Sequence, residues 1–197
     1  MGLYTRKHTI KDGQMIDDLD GKPFSSDFSF TRFLVPALNM YQGWALYMDC
    51  DMLIRTDINE IFEEYNLDYY PVYCVKHKYE PKDRVKMDKQ VQLAYPRKNW
   101  SSLVLWNCEH EKHKILTPDF IQKQTGAFLH RFNWLEDKDI GNIDAKWNWL
   151  ALEYEEKDDV NLIHYTIGTP CFKEYNDKPF SSYWKKSFTN LLDGYFK

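Results

Sequence analysis

Gly43 opens an unbroken apolar run, Trp44-Ala45-Leu46-Tyr47-Met48. A run of that length and composition predicts a buried central strand of an α/β sheet, with Asp49 and Asp51 at its carboxyl end. Ahead of it, Phe30, Phe33, Leu34, Ala37 and Leu38 fall at helical spacing between Phe28 and Met40, with Asp27 or Ser29 as N-cap. This predicts a helix disturbed at Pro36 and carrying Arg32. After Met52-Leu53-Ile54, Asp57 and Glu60 stand three apart before Ile61-Phe62, a capping-box pattern for a short helix. Tyr69 to Val75 and Leu103 to Trp106 are further β-rich runs. Thr117-Pro118-Asp119 marks a helix start, with Gly126 as its candidate stop. Leu162-Ile163 predicts a last short strand ending at His164, and Tyr183, Trp184, Phe188, Leu191 and Leu192 predict an amphipathic helix over 183–197. Residues 1–27 carry turn signals at Asp12-Gly13, Asp20-Gly21 and Pro23 with almost no periodicity, and read as an irregular lead-in. There is no internal repeat. Strands alternating with helices define an α/β class.

Length adds that 197 residues suit a single domain with a real core. The charge of -4, with no basic and aromatic interleaving, argues against a nucleic-acid partner. Cys50, Cys74, Cys108 and Cys171 are widely spaced, without the C-x-x-C pairs of zinc or redox sites, so a reducing cytoplasm is the expected home. The stretch Met1-Gly2-Leu3-Tyr4-Thr5-Arg6-Lys7 has no apolar segment behind its charges and is not read as a secretory signal. No apolar run approaches the ~20 residues that span a bilayer, which leaves at most a peripheral contact at the inner face of a membrane.

Two carboxylates at i and i+2 just past a buried strand stand where α/β folds place their ligands. Hard oxygen ligands there suit Mg²⁺ or Mn²⁺ and leave positions for phosphate oxygens. The competing reading is that Asp49 caps a turn and Asp51 is solvated. His110-Glu111-Lys112-His113 has histidines three apart instead of the four of a zincin helix, and reads as a solvated loop.

The run from Ala45 through Asp49-Cys50-Asp51 to Phe62 resembles the D-x-D segment of the glycogenin-like and lipopolysaccharide-galactosyltransferase-like retaining transferases, which have the GT-A fold. Phe30-Thr31-Arg32-Phe33-Leu34-Val35-Pro36 is similar to the family's helix whose arginine helps hold the donor diphosphate, against the alternative of an exposed helix arginine. Asn99-Trp100-Ser101-Ser102-Leu103 occupies the place of the N-x-G strand that borders the donor sugar, without the family's glycine. Trp147-Asn148 matches a W-N pair that the resemblance assigns to the acceptor side. His164-Tyr165-Thr166-Ile167-Gly168 resembles the H-x-x-G element, whose histidine is the third metal ligand and whose glycine lies near the diphosphate. The family's lysine and tryptophan after it are out of register here, so no phosphate lysine carries over. Asp137 and Asp139 lie near the family's acidic element and receive no role.

The resemblance covers about residues 25–175 and implies a GT-A mixed sheet flanked by helices. It also implies Mn²⁺ or Mg²⁺ on Asp49, Asp51 and His164, with donor contacts from Arg32, Ser101, Ser102 and Gly168. The implied substrates are a nucleotide-diphosphate sugar and a glycan or glycolipid acceptor, with retention of configuration. No residue is identified as the nucleophile. His164 must be neutral to ligate, so metal affinity is expected to fall with pH. An Mg²⁺-dependent phosphohydrolase and a binding scaffold without turnover are the alternatives. Because no buried strand precedes Trp44, the chain is also expected to lack the first strand-helix-strand unit of such domains, and to pair with a second copy or with a complementing chain.

Overall fold

The computed structural model describes residues 4–26, 28–65, 69–78 and 96–195. Its strands are β1 (His8–Lys11), β2 (Gln14–Asp17), β3 (Pro23–Phe24), β4 (Trp44–Met48), β5 (Met52–Ile54), β6 (Val72–Cys74), β7 (Leu103–Asn107), β8 (Ile140–Asn142), β9 (Trp149–Leu150) and β10 (Leu162–His164). The helices are α1 (Val35–Leu38), α2 (Glu60–Glu64), α3 (Pro118–Gln122), α4 (Gly126–His130) and α5 (Ser181–Tyr195). These elements fall into two compact units, one drawn from the described residues of 1–48, 65–79 and 94–143, the other from those of 49–64 and 144–197. No helix among the described residues is long and apolar enough to cross a membrane.

The first unit opens with an antiparallel sheet in the order β1-β2-β3, where an irregular lead-in was expected. Lys11 pairs with Gln14 across Asp12-Gly13, both at positive φ (52° and 76°), the conformation that two-residue hairpin loops demand. The Asp12-Gly13 turn signal is therefore a hairpin loop. Arg6 pins β2 through an ion pair with the buried Asp17.

The expected long helix is divided. Thr31–Leu34 is a 3-10 turn and α1 follows with Pro36 in its first turn, where a missing N–H costs nothing. Asp27 lies outside the described residues, and Ser29 makes no cap, its hydroxyl being engaged with Ser26. A four-stranded sheet then runs β4-β7-β6-β8, antiparallel except for β6 beside β8. β7 is the buried strand, with Leu103, Val104, Leu105 and Trp106 all fully enclosed. β4, expected to be central, pairs only with β7 among the described residues and is half-buried along its length. A continuous apolar run records burial of both faces but not whether a strand has a neighbour on both edges.

Thr117 caps α3 as its sequence predicts, accepting a hydrogen bond from Phe120 N at 3.1 Å. Gly126 does not stop that helix. It begins α4 behind the Thr125 cap, and a Cβ there would come within 2.8 Å of the Phe30 ring. His113 is likewise not in a solvated loop: it is enclosed and hydrogen-bonded to the Pro71 carbonyl at 2.9 Å.

Burial pushes the His113 pKa down to about 4, and burial together with the Arg32 charge pushes His130 down to about 3. Both are neutral in the fold, whereas the unfolded chain takes up their protons from about pH 6.5 downward. The contribution of these two histidines to stability is therefore fully present above about pH 6.5 and is expected to fall below it, by on the order of 1.4 kcal/mol per pH unit per histidine. Urea midpoints from pH 7 to pH 4 measure the slope, and His113→Gln is expected to flatten it.

The second unit holds a mixed sheet in the order β5-β10-β9, antiparallel on the β5 side and parallel on the β9 side. Val160, Ile163, Tyr165 and Phe180 form its core, against which Tyr183 and Trp184 of α5 pack. Farther along α5, Phe188, Leu191 and Leu192 are exposed. Asp57 does not close the expected capping box: its carboxylate accepts from Asn59 N at 2.9 Å, and Glu60 takes the Thr56 hydroxyl at 2.7 Å.

Candidate metal centre

Register builds the site. β5 and β10 pair so that Met52 faces His164, which sets Asp51 at the mouth of the pair, its carbonyl accepting Tyr165 N at 2.9 Å. The Asp51 side chain then reaches His164, with Oδ1 3.3 Å from Nε2. Asp49, two residues earlier, completes a group whose ligand atoms all lie within 4.8 Å of one another. All three residues belong to the second unit. The histidine is buried and the two aspartates are half-buried, so the group has an enclosed side and a side that opens to solvent.

His164 is held from behind. Its Nδ1 is 2.8 Å from Asn148 Oδ1, and Asn148 has no exposed surface. Asn148 directly precedes β9, which runs parallel to β10 with Trp149 opposite Ile163, so two adjacent strands deliver the pair. Trp147 is enclosed as well, donating its indole N–H to Glu64 Oε2 at 2.7 Å, while Lys146 binds Glu64 Oε1 at 2.9 Å.

These contacts test whether a cation fits. An amide oxygen on Nδ1 selects the Nδ1–H tautomer and turns the Nε2 lone pair toward Asp51. Two electron-rich atoms then face each other, one of them a carboxylate oxygen closed to solvent. A positive charge relieves that arrangement. Adjacent ligands of an octahedral ion with bonds of ~2.1 Å stand about 3.0 Å apart, close to the observed 3.3 Å. Two carboxylates and one imidazole suit Mn²⁺ or Mg²⁺ better than a soft thiolate-loving ion. The residues fit the group.

Asn148→Ala is expected to weaken Mn²⁺ binding about 10- to 100-fold, because it frees the imidazole to rotate and removes the partner that fixes its tautomer. Calorimetric titration with Mn²⁺ measures this directly.

Trp147 and Asn148, which the resemblance assigns to the acceptor side, are both fully enclosed in the second unit. Asn148 supports His164 from inside the unit, while Trp147 is bonded to Glu64. Arg32, Ser101 and Ser102 lie in the first unit. Arg32 is only 8% exposed, which excludes the exposed-helix alternative. Its Nε donates to Ser29 O at 3.0 Å and its Nη1 to Ser101 O at 2.9 Å, and its guanidinium lies 5.0 Å from the Tyr47 ring centre. Both serine hydroxyls are taken up internally, Ser101 with His130 Nδ1 at 2.8 Å and Ser102 with Asn99 O at 2.6 Å. Gly168 is buried under Tyr175, and a Cβ there would fall 2.2 Å from that ring, so close packing requires a glycine here. Asp137 and Asp139 pair with Arg97 and Lys112. The part of the site that the sequence does not reveal is the supporting role of Asn148. Its signal is tertiary, an Asn at the head of a two-residue strand that runs parallel to the one ending in His164.

The architecture is a GT-A-like glycosyltransferase fold, a mixed α/β arrangement. A WbbM bifunctional glycosyltransferase superposes with a TM-score of 0.53 at 14% identity, over 83% of this chain and 38% of that one. Mouse xyloside xylosyltransferase 1 superposes with a TM-score of 0.45 at 15% identity, over 72% of this chain and 66% of that one. In sequence, the chain is 48% identical to Protein CDI of Arabidopsis thaliana over 169 residues, 83% of this chain and 65% of that protein. It therefore spans just under two thirds of that relative's length. No family model matches the sequence.

Proposed function

We propose that this protein is a metal-dependent glycosyltransferase that moves a sugar from a nucleotide-diphosphate donor to a glycan or glycolipid acceptor, with retention of anomeric configuration. The observation that carries this reading is the Asp49, Asp51 and His164 cluster at a strand end of a glycosyltransferase fold. When bound there, Mn²⁺ or Mg²⁺ supplies Lewis-acid stabilisation of the charge that develops on the departing diphosphate, worth several kcal/mol. Asp49 and Asp51 would hold that ion next to the donor diphosphate. His164, locked by Asn148, contributes a neutral ligand that does not cancel the ion's charge. Arg32, held in the first unit through two backbone carbonyls, is the residue that the resemblance assigns to the diphosphate, as the donor of a charge-assisted hydrogen bond. The proposed location is the cytoplasm, with contact to a membrane no more than peripheral.

Thermal-shift measurements with a panel of nucleotide sugars, with and without Mn²⁺, test the reading. Stabilisation by a nucleoside diphosphate that requires the metal is the expected outcome. Hydrolysis of simple phosphomonoesters without any nucleotide response would overturn it in favour of a phosphohydrolase.

A further inference from the structure

The first unit carries a cleft of about 650 Å³ that none of the site residues above enters, within the range of small-ligand sites. Half-buried Phe120, Phe128 and Trp134 line it and touch one another in series. Phe120 and Phe128 have ring centres 6.0 Å apart, Phe128 and Trp134 6.3 Å apart. The first pair meets edge to face at 69° and the second is tilted by 33°, so the rings form a stepped apolar platform against which the C–H groups of a pyranose pack.

The polar groups around the platform are set in place beforehand. Asp139 accepts from Glu136 N at 2.9 Å and from Lys112 Nζ at 2.6 Å, and Glu136 returns a hydrogen bond in a reciprocal capping box. Carboxylates fixed in this way accept hydrogen bonds from hydroxyl groups without first being ordered, which saves the entropy that binding otherwise costs.

Charge decides between ligands. The lining carries three carboxylates, Glu111, Glu136 and Asp139, against one ammonium, Lys112, and the balance stays negative even with Lys138 paired to Glu136 from outside. A diphosphate is repelled there, while a neutral polyhydroxyl compound meets both an apolar floor and oriented acceptors. We propose that this cleft is a binding site for a neutral saccharide, independent of the metal centre. The choice of saccharide over other uncharged ligands rests on the glycosyltransferase reading. In that reading the cleft holds part of the acceptor glycan.

The test is calorimetric titration with neutral malto-, cello-, xylo- and galacto-oligosaccharides in a chelating buffer, on the wild type and on Phe120→Ala, Ile115→Glu and Asp51→Ala. Ile115 lines the same cleft and is 47% exposed, so its replacement places a charge on the platform without touching the core. One oligosaccharide class is expected to bind with a Kd of about 1 mM or tighter, to lose about tenfold in Phe120→Ala and Ile115→Glu, and to bind Asp51→Ala as it binds the wild type. Because Asp51→Ala removes donor binding but not this binding, failure of the cleft and failure of the metal centre are read separately. Absence of binding by every oligosaccharide, undiminished binding in both cleft variants, or selective uptake of a basic peptide would each overturn the proposal.

Discussion

Asp51→Ala is expected to lower metal-dependent sugar transfer at least about a hundredfold while leaving the fold intact. Asp51 supplies the carboxylate oxygen closest to His164, at 3.3 Å, and alanine replaces a charged ligand with none. A hundredfold loss corresponds to about 2.7 kcal/mol of transition-state stabilisation, within the several kcal/mol that a Lewis-acid ion provides. The structural part of Asp51 is its backbone carbonyl, which accepts Tyr165 N, and alanine keeps it. The β5 and β10 pairing should therefore survive. Circular dichroism and melting temperature close to wild type, together with lost turnover at saturating Mn²⁺, are the expected pair of results. Asp49→Ala is expected to behave alike, since its ligand atom belongs to the same group.

Trp106→Ala is expected to have the largest effect on stability, about 3–5 kcal/mol. Its ring, on β7, is enclosed, stacked on Trp134 at 6.4 Å and 1° and set edgewise to Phe33, Phe132 and His113. Alanine leaves a cavity walled by rigid rings that cannot close over it. Trp106→Phe is expected to cost far less. The indole N–H is buried with no acceptor among the described residues, so removing it relieves a desolvation penalty of about 1–3 kcal/mol that offsets part of the lost packing. Urea unfolding of the two variants separates the contributions, and a difference between them smaller than about 1 kcal/mol would mean that the Phe ring restores none of the lost packing.

What could be read directly from the residues was whatever local chemistry encodes. The Thr117-Pro118 start of α3, the run that became β4 and the strand ending at His164 all appear as expected, because caps, apolar runs and lengths are short-range signals. The ligand triad was legible only through its resemblance to a transferase family. Nothing in the spacing of Asp51 and His164 reveals that β5 and β10 pair with Met52 opposite His164. Edge position and support were not legible at all. β4 reads as central since its composition reports apolar faces, and Asn148 reads as a ligand contact since its bond to His164 depends on a parallel strand pair. His113 misled for a similar reason: three-residue spacing excludes a zinc helix but says nothing about a lone imidazole buried against Pro71.

The metal centre is tested most directly by a calorimetric Mn²⁺ titration of the protein, with and without a nucleoside diphosphate. The titration is expected to show one saturable site whose affinity rises when the diphosphate is present. That site should be lost in Asp49→Ala, Asp51→Ala and His164→Ala. Equal Mn²⁺ and nucleotide affinities in the wild type and all three variants would contradict the assignment of this cluster as the metal centre.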